Sequence, residues 1–190
     1  MADSETLERG AAATSAGTIL AISASPAEAS RTERLTDYVL QAVGEGLIKK
    51  HLHLRTLPAD SLVKAKVEHP DIAEALKMVD EASLVVIATP TYKASYSGLL
   101  KIFLDVLPQY GLRGKSVLPI AVGGTMAHMQ MLDLCLRPVL QSMWPRHIGQ
   151  GCFLLSQDIA FDDDGGIKLE GPGALLLQEV IAAFRAIAVE

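Results

Sequence analysis

The chain has 190 residues, 49% of them hydrophobic, and a formal net charge of −5. This length suits one domain that buries about 70% of its unfolded surface, and this hydrophobicity excludes a disordered chain. No apolar run approaches the roughly 20 residues of a transmembrane helix, and no basic cluster indicates nucleic acid or anionic lipid, so we expect a soluble protein without such partners.

The first 16 residues are rich in Ala, Ser, Thr and Glu and lack the apolar core, roughly 7–15 residues long, of a secretory signal. We predict a disordered extension over residues 1–16 and a single domain over residues 17–190. Cys135 and Cys152 lack the spacing of a metal site or a redox motif. Buried, reduced thiols and a cytoplasmic location are the expectation.

Residues 18–22 form a short apolar run typical of a buried strand, and apolar residues return at helical spacing over residues 35–43. The loop between them contains many small hydroxyl residues but no Gly-x-Gly-x-x-Gly motif. Its absence argues against a dinucleotide-binding Rossmann domain.

Two interpretations fit the end of this first loop. Ser30 and Glu33 have the spacing of a capping box, which would only start the helix. Alternatively, Ser25, Ser30, Arg31 and Thr32 bind a phosphate as well, since unpaired N–H groups and the helix dipole favour an anion at a helix start. The residues alone leave both interpretations open.

Residues 51–57 alternate polar and apolar side chains, which predicts a strand near a sheet edge. His51 and His53 share one face, but no neighbouring Cys, His or carboxylate cluster completes a metal site, so we expect solvated side chains and no bound metal. Residues 58–70 are an irregular connection with room for a short helix. A helical apolar face over residues 72–79 follows.

Residues 84–88 form an apolar run without polar alternation, as expected for a strand covered by helices on both faces. Residues 99–107 then show helical spacing and end before a proline. The loop over residues 89–98 contains Thr, Pro, Tyr, Ser and Gly. Because ligands in open α/β sheets lie beyond the carboxyl ends of the strands, this loop is predicted to line the site.

Residues 116–122 predict another buried strand, followed by residues 123–125 (Gly-Gly-Thr) and a helical pattern over residues 126–143. Pro138 lies inside that helix and lacks an N–H group, so the carbonyl of Leu134 loses its partner. A kink or a π-bulge is expected there.

Residues 151–155 predict a fifth strand, residues 162–166 a turn with solvated carboxylates, and residues 175–187 a closing amphipathic helix. Five strands alternating with helices predict an α/β fold with a doubly wound parallel sheet and right-handed crossovers. The helices that begin near Leu99 and Met126 carry wide apolar faces. These faces predict a homo-oligomer, either a dimer or a tetramer.

Residues 23–32, 89–101, 118–128 and 136–140 together resemble the NAD(P)H-dependent FMN reductases of the flavodoxin-like fold. They are most similar to the reductases that supply reduced flavin to alkanesulfonate and methanesulfonate monooxygenases. The resemblance implies a flavodoxin-like, doubly wound, five-stranded parallel sheet in the order 2-1-3-4-5. It also implies FMN and NAD(P)H as the molecules bound and a flavin-dependent monooxygenase as partner.

The resemblance assigns roles to three loops, in which backbone and side chains bind, orient and polarise the flavin without an acid or base. The implied residues are Ser25, Ser30, Arg31 and Thr32 for the phosphate; Pro90, Thr91, Tyr92 and Lys93 for the isoalloxazine ring, with Tyr96 and Ser97 nearby; and Gly123, Gly124 and Thr125 for its pyrimidine end.

Two positions depart from the family pattern. Ala27 stands where an Arg is frequent, so phosphate binding would depend on Arg31. Leu134 stands where a related reductase has a Tyr in a π-helix at the subunit interface, and it is expected either to influence flavin retention or to pack in the core. The sequence shows no decisive Arg for a 2′-phosphate, so NADH and NADPH both remain candidates.

We therefore expect an NAD(P)H-dependent FMN reductase that transfers hydride to FMN and supplies reduced flavin to a monooxygenase of sulfonate or sulfur assimilation. FMN would be a substrate or a loosely held cofactor. Two alternatives are a quinone- or azo-reducing flavoprotein with tightly bound FMN, and a flavodoxin-like electron carrier without turnover of its own.

Overall fold

The structure is a computed structural model that describes residues 17–162 and 165–188. The extension predicted over residues 1–16 lies outside the described residues, as do residues 163–164 of the predicted acidic turn.

Strands and helices alternate along most of the described chain. The strands are β1 (Thr18–Ser23), β2 (Ile48–His53), β3 (Leu84–Tyr92), β4 (Ser95–Tyr96), β5 (Ser116–Gly123), β6 (His147–Ile148), β7 (Cys152–Leu155), β8 (Ile159–Phe161) and β9 (Ile167–Leu169). The helices are α1 (Arg31–Val43), α2 (Ala59–Val63), α3 (Pro70–Glu81), α4 (Gly98–Val106), α5 (Arg137–Ser142) and α6 (Gly171–Ala188). Short 3₁₀ turns lie at Leu54–Thr56, Met126–His128 and Ser156–Asp158, and a π-helical turn spans Leu132–Leu136.

The central sheet is parallel in the order β2-β1-β3-β5, and its fifth position is shared by two short strands. β6 pairs with β5 at Ser116 and Val117, and β7 pairs with β5 from Ile120 to Gly123. Counting β6 and β7 as one interrupted strand gives the order 2-1-3-4-5, so the prediction of a flavodoxin-like sheet is confirmed.

Helices cover both faces of this sheet, because alternate residues of each central strand point to opposite sides. Leu20 and Ile22 of β1 belong to one buried cluster with α3, α4 and α5, whereas Ile19 and Ala21 belong to the other, with α1 and α6. A strand buried on both faces needs an uninterrupted apolar sequence, which explains the composition of β1, β3 and β5.

The predicted second strand is shifted and its histidines are not both solvated. β2 begins at Ile48 and ends at His53, where a 3₁₀ turn replaces the predicted continuation. His51 Nδ1 lies 2.6 Å from Asp37 Oδ1 of α1, and the His51 side chain is only 11% exposed. The prediction of a solvated His51 is wrong because α1 covers this face of the edge strand. In the described ranges no three His, Cys, Asp or Glu side chains are grouped to hold a metal ion.

The helix predicted over residues 126–143 is not continuous. It is divided into a 3₁₀ turn, the π-helical turn and α5. The Arg137 N–H donates to the Leu132 carbonyl five residues earlier, beside Pro138. The predicted π-bulge is therefore confirmed. Leu134 is 71% exposed in this turn, so its packing in the core is excluded.

Arg137 connects the π-helical turn to the interrupted fifth strand. Its guanidinium donates to the carbonyls of Ile148 (3.4 Å) and Gly149 (3.1 Å), and its Nε donates to Asp133 (2.9 Å). Gly149 lies between β6 and β7, where the strand is broken. One side chain thus donates hydrogen bonds to two carbonyls at the break in the strand.

An antiparallel hairpin formed by β8 and β9, called the C-terminal hairpin below, was not predicted. Ile159 pairs with Leu169, and Phe161 pairs with Ile167. Cys152 is buried as predicted, and burial raises the pKa of its thiol to about 11, whereas Cys135 is half-buried. Among the helices of residues 17–162 and 165–188, none combines the length and the hydrophobicity that a membrane span requires.

Candidate active site

The carboxyl ends of β1, β3 and β5 meet at one edge of the sheet, and the loops that follow them surround an open cleft. Its lining residues are Ser25, Ala27, Ala29, Ser30, Arg31, Thr32, Pro90, Thr91, Tyr92, Val122, Gly123, Gly124 and Ser156. The structure thus brings together most of the predicted site residues. Outside this lining are Lys93, Tyr96, Ser97 and Thr125.

The hydroxyls of Ser25 and Ser30 are positioned by local backbone contacts. Ser30 is the N-cap of α1 and accepts a hydrogen bond from the Glu33 N–H at 3.3 Å. Ser25 Oγ accepts one from the Ala27 N–H at the same distance. Because each oxygen is the acceptor in these bonds, its own O–H group can still donate to an anion. The capping and phosphate-binding interpretations are therefore compatible.

Arg31 and Thr32 are the first two residues of α1, whose N–H groups have no partner within the helix. The Arg31 side chain is held from outside α1, because its Nε donates to the Ile159 carbonyl at 2.9 Å. Its guanidinium carbon lies 5.5 Å from the centroid of the Phe161 ring. Sequence analysis did not foresee these contacts.

Glu33 does not complete a capping box, because its carboxylate is directed toward β2. It accepts a hydrogen bond from Arg55 Nε at 3.1 Å and lies 3.4 Å from His53 Nδ1. Burial raises the pKa of Glu33, but Arg55 and His53 outweigh it and lower the pKa overall. The Glu33 carboxylate is thus paired with the Arg55 guanidinium, which limits its repulsion of an anion.

A strained turn lies next to the second loop of the cleft. Tyr92 pairs with Ser95 across a two-residue connection, Lys93 and Ala94, whose φ angles are 50° and 59°. This is type I′ geometry, which favours Gly or Asn, and L-residues there cost roughly 1–2 kcal/mol each. The turn places Tyr92, 49% exposed, at the rim of the cleft.

Ser97 connects the first two loops instead of facing the cleft. Its Oγ donates to the Ala24 carbonyl at 2.8 Å and accepts from the Leu100 N–H at 3.2 Å, as the N-cap of α4. Its own N–H donates to Thr89 Oγ1 at 3.0 Å. With the side chain 1% exposed and its hydrogen bonds made within the protein, Ser97 holds the two loops in register.

In the third loop, which follows β5, the backbone of Gly123 and Gly124 borders the cleft directly. A Cβ atom on Gly123 would lie 2.5 Å from Phe153 Cζ and 3.2 Å from Thr91 Oγ1, so this position requires glycine. A Cβ on Gly124 would meet nothing within 4 Å. Thr91 Oγ1 is buried and has no hydrogen-bond partner in the described part of the chain. The open backbone of Gly124 suits the close approach of a flat ligand with polar edges, such as FMN.

Ala29, Val122 and Ser156 line the cleft without having been predicted to do so, and Ala27 was named only as a departure from the family pattern. Ala27 and Ala29 leave room in the first loop, and Val122 precedes the glycines. Ser156 follows β7 and donates to the Gly123 carbonyl at 3.2 Å. Its position just beyond a predicted strand was a signal that could have identified it.

The sheet order and the open cleft at its carboxyl edge define a flavodoxin-like protein whose site lies where open α/β sheets bind ligands. Comparison with known proteins identifies the family, because residues 18–160 match the one described as NADPH-dependent FMN reductase. The chain belongs to this NADPH-dependent FMN reductase family. It is an NAD(P)H:FMN oxidoreductase that uses FMN and NAD(P)H, which confirms the predicted enzyme class and the predicted cofactors.

Two relatives and one solved structure illustrate the similarity. FMN reductase (NADPH) of Escherichia coli is 35% identical over 136 residues, which cover 71% of each chain. NADH-dependent FMN reductase SfnE of Pseudomonas putida is 33% identical over 146 residues, 75% of this chain and 78% of the relative. The apo structure of NADH:FMN oxidoreductase (EMOB) is 39% identical with a TM-score of 0.82, covering 90% of this chain and 89% of that chain.

Proposed function

We propose that this protein reduces FMN as an exchangeable substrate and supplies reduced FMN to a partner monooxygenase of sulfonate or sulfur assimilation. The observation that carries the exchange is the composition of the cleft. Arg31 is the only charged side chain among the described residues that line it. One guanidinium and a few neutral hydroxyls bind a phosphate more weakly than a set of charges would, which favours release.

At the phosphate end, the proposal assigns four residues and the first backbone N–H groups of α1 to the FMN phosphate. Ser25, Ser30 and Thr32 contribute hydroxyls, and the first N–H groups of α1 contribute the helix dipole. Arg31 contributes the charge-assisted bond. The position of these groups together at one end of the cleft supports this assignment.

At the ring end, the proposal assigns the walls of the cleft to the isoalloxazine. Bound FMN supplies the ring that accepts a hydride from the reduced nicotinamide. Pro90, Thr91 and Tyr92 border this ring, and the backbone of Gly123 and Gly124 approaches its pyrimidine end, where negative charge develops on reduction. The chain orients the reactants and needs no acid or base of its own.

The choice of partner is supported by the resemblance of residues 89–101 and 118–128 to reductases of alkanesulfonate systems. An FMN-dependent alkanesulfonate monooxygenase supplied with NAD(P)H, FMN and this protein should release sulfite. If sulfite release does not exceed that with a reductase-free control while NAD(P)H is consumed, this partner class is wrong.

A homo-oligomer, dimer or tetramer, is part of the proposal. Met126, Met129 and Leu134 are 49%, 46% and 71% exposed in the segment that follows Gly124, and subunit contact would cover them. Light scattering should give a multiple of the chain mass. A monomeric mass at micromolar concentration would contradict this part.

The exchange itself is tested by colour and by turnover. The purified protein should be colourless after dialysis and should oxidise NAD(P)H only when FMN is added. A yellow protein that keeps its flavin through dialysis and turns over without added FMN would contradict the exchange. That result would favour a quinone- or azo-reducing flavoprotein.

A further inference from the structure

We propose that the C-terminal hairpin orients the Arg31 guanidinium for the flavin phosphate, and that Phe161 thereby raises the preference for FMN over riboflavin. This inference rests on the proposed function, since it assumes that Arg31 binds the phosphate. It assigns a role to an element outside the central sheet and to a side chain outside the cleft.

Two contacts from β8 hold the guanidinium in different ways. The Ile159 carbonyl accepts a hydrogen bond from Arg31 Nε at 2.9 Å, across 128 positions of sequence. The Phe161 ring lies 5.5 Å from the guanidinium carbon, within cation–π range. A hydrogen bond at Nε fixes the plane of the group and leaves its two terminal nitrogens outside that bond. Those nitrogens are the fork that binds phosphate oxygens.

The hairpin provides a firm support for these contacts. Ile159 is 1% exposed and packs in the buried cluster that also contains Leu35 of α1 and Leu177 of α6. The Glu170 N–H donates to the Asp158 carbonyl at 2.9 Å, next to the paired strands. The Ile159 carbonyl is therefore anchored to the core behind α1.

Phe161 differs from Ile159 because it contributes little to the core. Its side chain is 46% exposed, and its partner on β9, Ile167, is half-buried. The Arg31 guanidinium gives this exposed ring a cationic partner at cation–π distance. Since riboflavin lacks the phosphate, an ordered Arg31 lowers the entropic cost of binding FMN but not of binding riboflavin.

The test measures dissociation constants of FMN and riboflavin by flavin fluorescence for Phe161→Leu and Phe161→Trp. Removing the π face with Phe161→Leu should weaken FMN binding about two- to fivefold and leave riboflavin binding unchanged. Phe161→Trp should keep the FMN preference. Leu175→Ala, which removes a 66% exposed side chain from α6, should change neither constant.

The decisive arm repeats Phe161→Leu in an Arg31→Ala background, where it should have no further effect on FMN. An equal loss for both flavins, no loss in Phe161→Leu, or the same loss without Arg31 would overturn the inference. If Arg31→Ala alone affects both flavins equally, the phosphate assignment itself fails. Thermal unfolding of each variant confirms that folded proteins are compared.

Discussion

The two ends of the cleft are built by different physical means. At the phosphate end, the Ser25 and Ser30 hydroxyls accept hydrogen bonds from N–H groups two and three residues away, so a local loop contact and the N-cap of α1 position them. At the ring end, Lys93 and Ala94 adopt strained φ angles and Gly123 lies against Phe153. We conclude that ligand recognition at the phosphate end depends on hydroxyl and guanidinium groups, whereas recognition at the ring end depends on the shape of the backbone.

Removing the charge from the phosphate end should have the largest effect. Arg31→Ala should weaken FMN binding by about 1.5–3 kcal/mol, the contribution of a charge-assisted hydrogen bond, and leave riboflavin binding nearly unchanged. Flavin fluorescence titration measures both constants. Equal losses for the two flavins would show that the phosphate end does not recognise phosphate.

Adding a Cβ atom at Gly123 should disturb the packing of the backbone at the ring end of the cleft. Gly123→Ala places a Cβ against Phe153, and such overpacking costs roughly 1–3 kcal/mol of folding free energy. Gly124→Ala is the matched control, because its Cβ meets no protein atom within 4 Å. Denaturant unfolding should show a loss only for Gly123→Ala, while FMN binding weakens in both. Equal stability of the two variants would contradict the close approach.

Removing the hydroxyl that connects the loops of the two ends should have a smaller effect on the free energy of unfolding. Ser97→Ala removes the N-cap of α4 and the bond to Ala24, which should cost about 0.5–2 kcal/mol of stability. Ser142→Ala is the control, since its hydroxyl makes one exposed bond to the Val139 carbonyl. We expect a clear shift of the unfolding midpoint for Ser97→Ala alone. Equal shifts would mean that Ser97 does not connect the loops.

Relieving the strain at the ring end should stabilise the protein. Ala94→Gly removes a left-handed penalty of roughly 1–2 kcal/mol, partly offset by about 0.4–1 kcal/mol of added freedom in the unfolded chain. Ala65→Gly, at φ 51° and outside the cleft lining, should stabilise similarly. Only Ala94→Gly should change FMN affinity. If both variants leave FMN affinity unchanged, the turn does not shape the ring end.

The smallest effect concerns pH behind the phosphate end. Burial and the charge of neighbouring His53 lower the pKa of His51 below its ordinary value of 6.5, and the opposing effects of Asp37 and Glu33 do not compensate. The unfolded state therefore binds more protons at low pH, so His51 leaves the free energy of unfolding unaffected above about pH 6.5 and lowers it as the pH falls below that value. Across pH 5–8, the free energy of unfolding of His51→Gln should therefore decrease less steeply toward low pH than that of the parent protein. An unchanged slope would contradict the shift.

The sequence predicted those features that local rules determine. Apolar runs revealed the strands, Pro138 revealed the π-bulge, and Ser30 revealed the start of α1. The C-terminal hairpin escaped because three-residue strands carry too little periodicity. The structural role of Ser97 was also not predicted. Its hydroxyl donates to the Ala24 carbonyl instead of facing a ligand, and Ala24 lies 73 residues away in the sequence.

The hydrogen bonds from Arg137 to the interrupted fifth strand have a consequence for local unfolding. Because one guanidinium bonds the Ile148 and Gly149 carbonyls while its backbone N–H closes the π-helical turn, neither region can open without losing the other's partner. In native-state hydrogen exchange, amides of the π-helical turn and those near Gly149 should therefore exchange with a common opening free energy, as one cooperative unit below global unfolding.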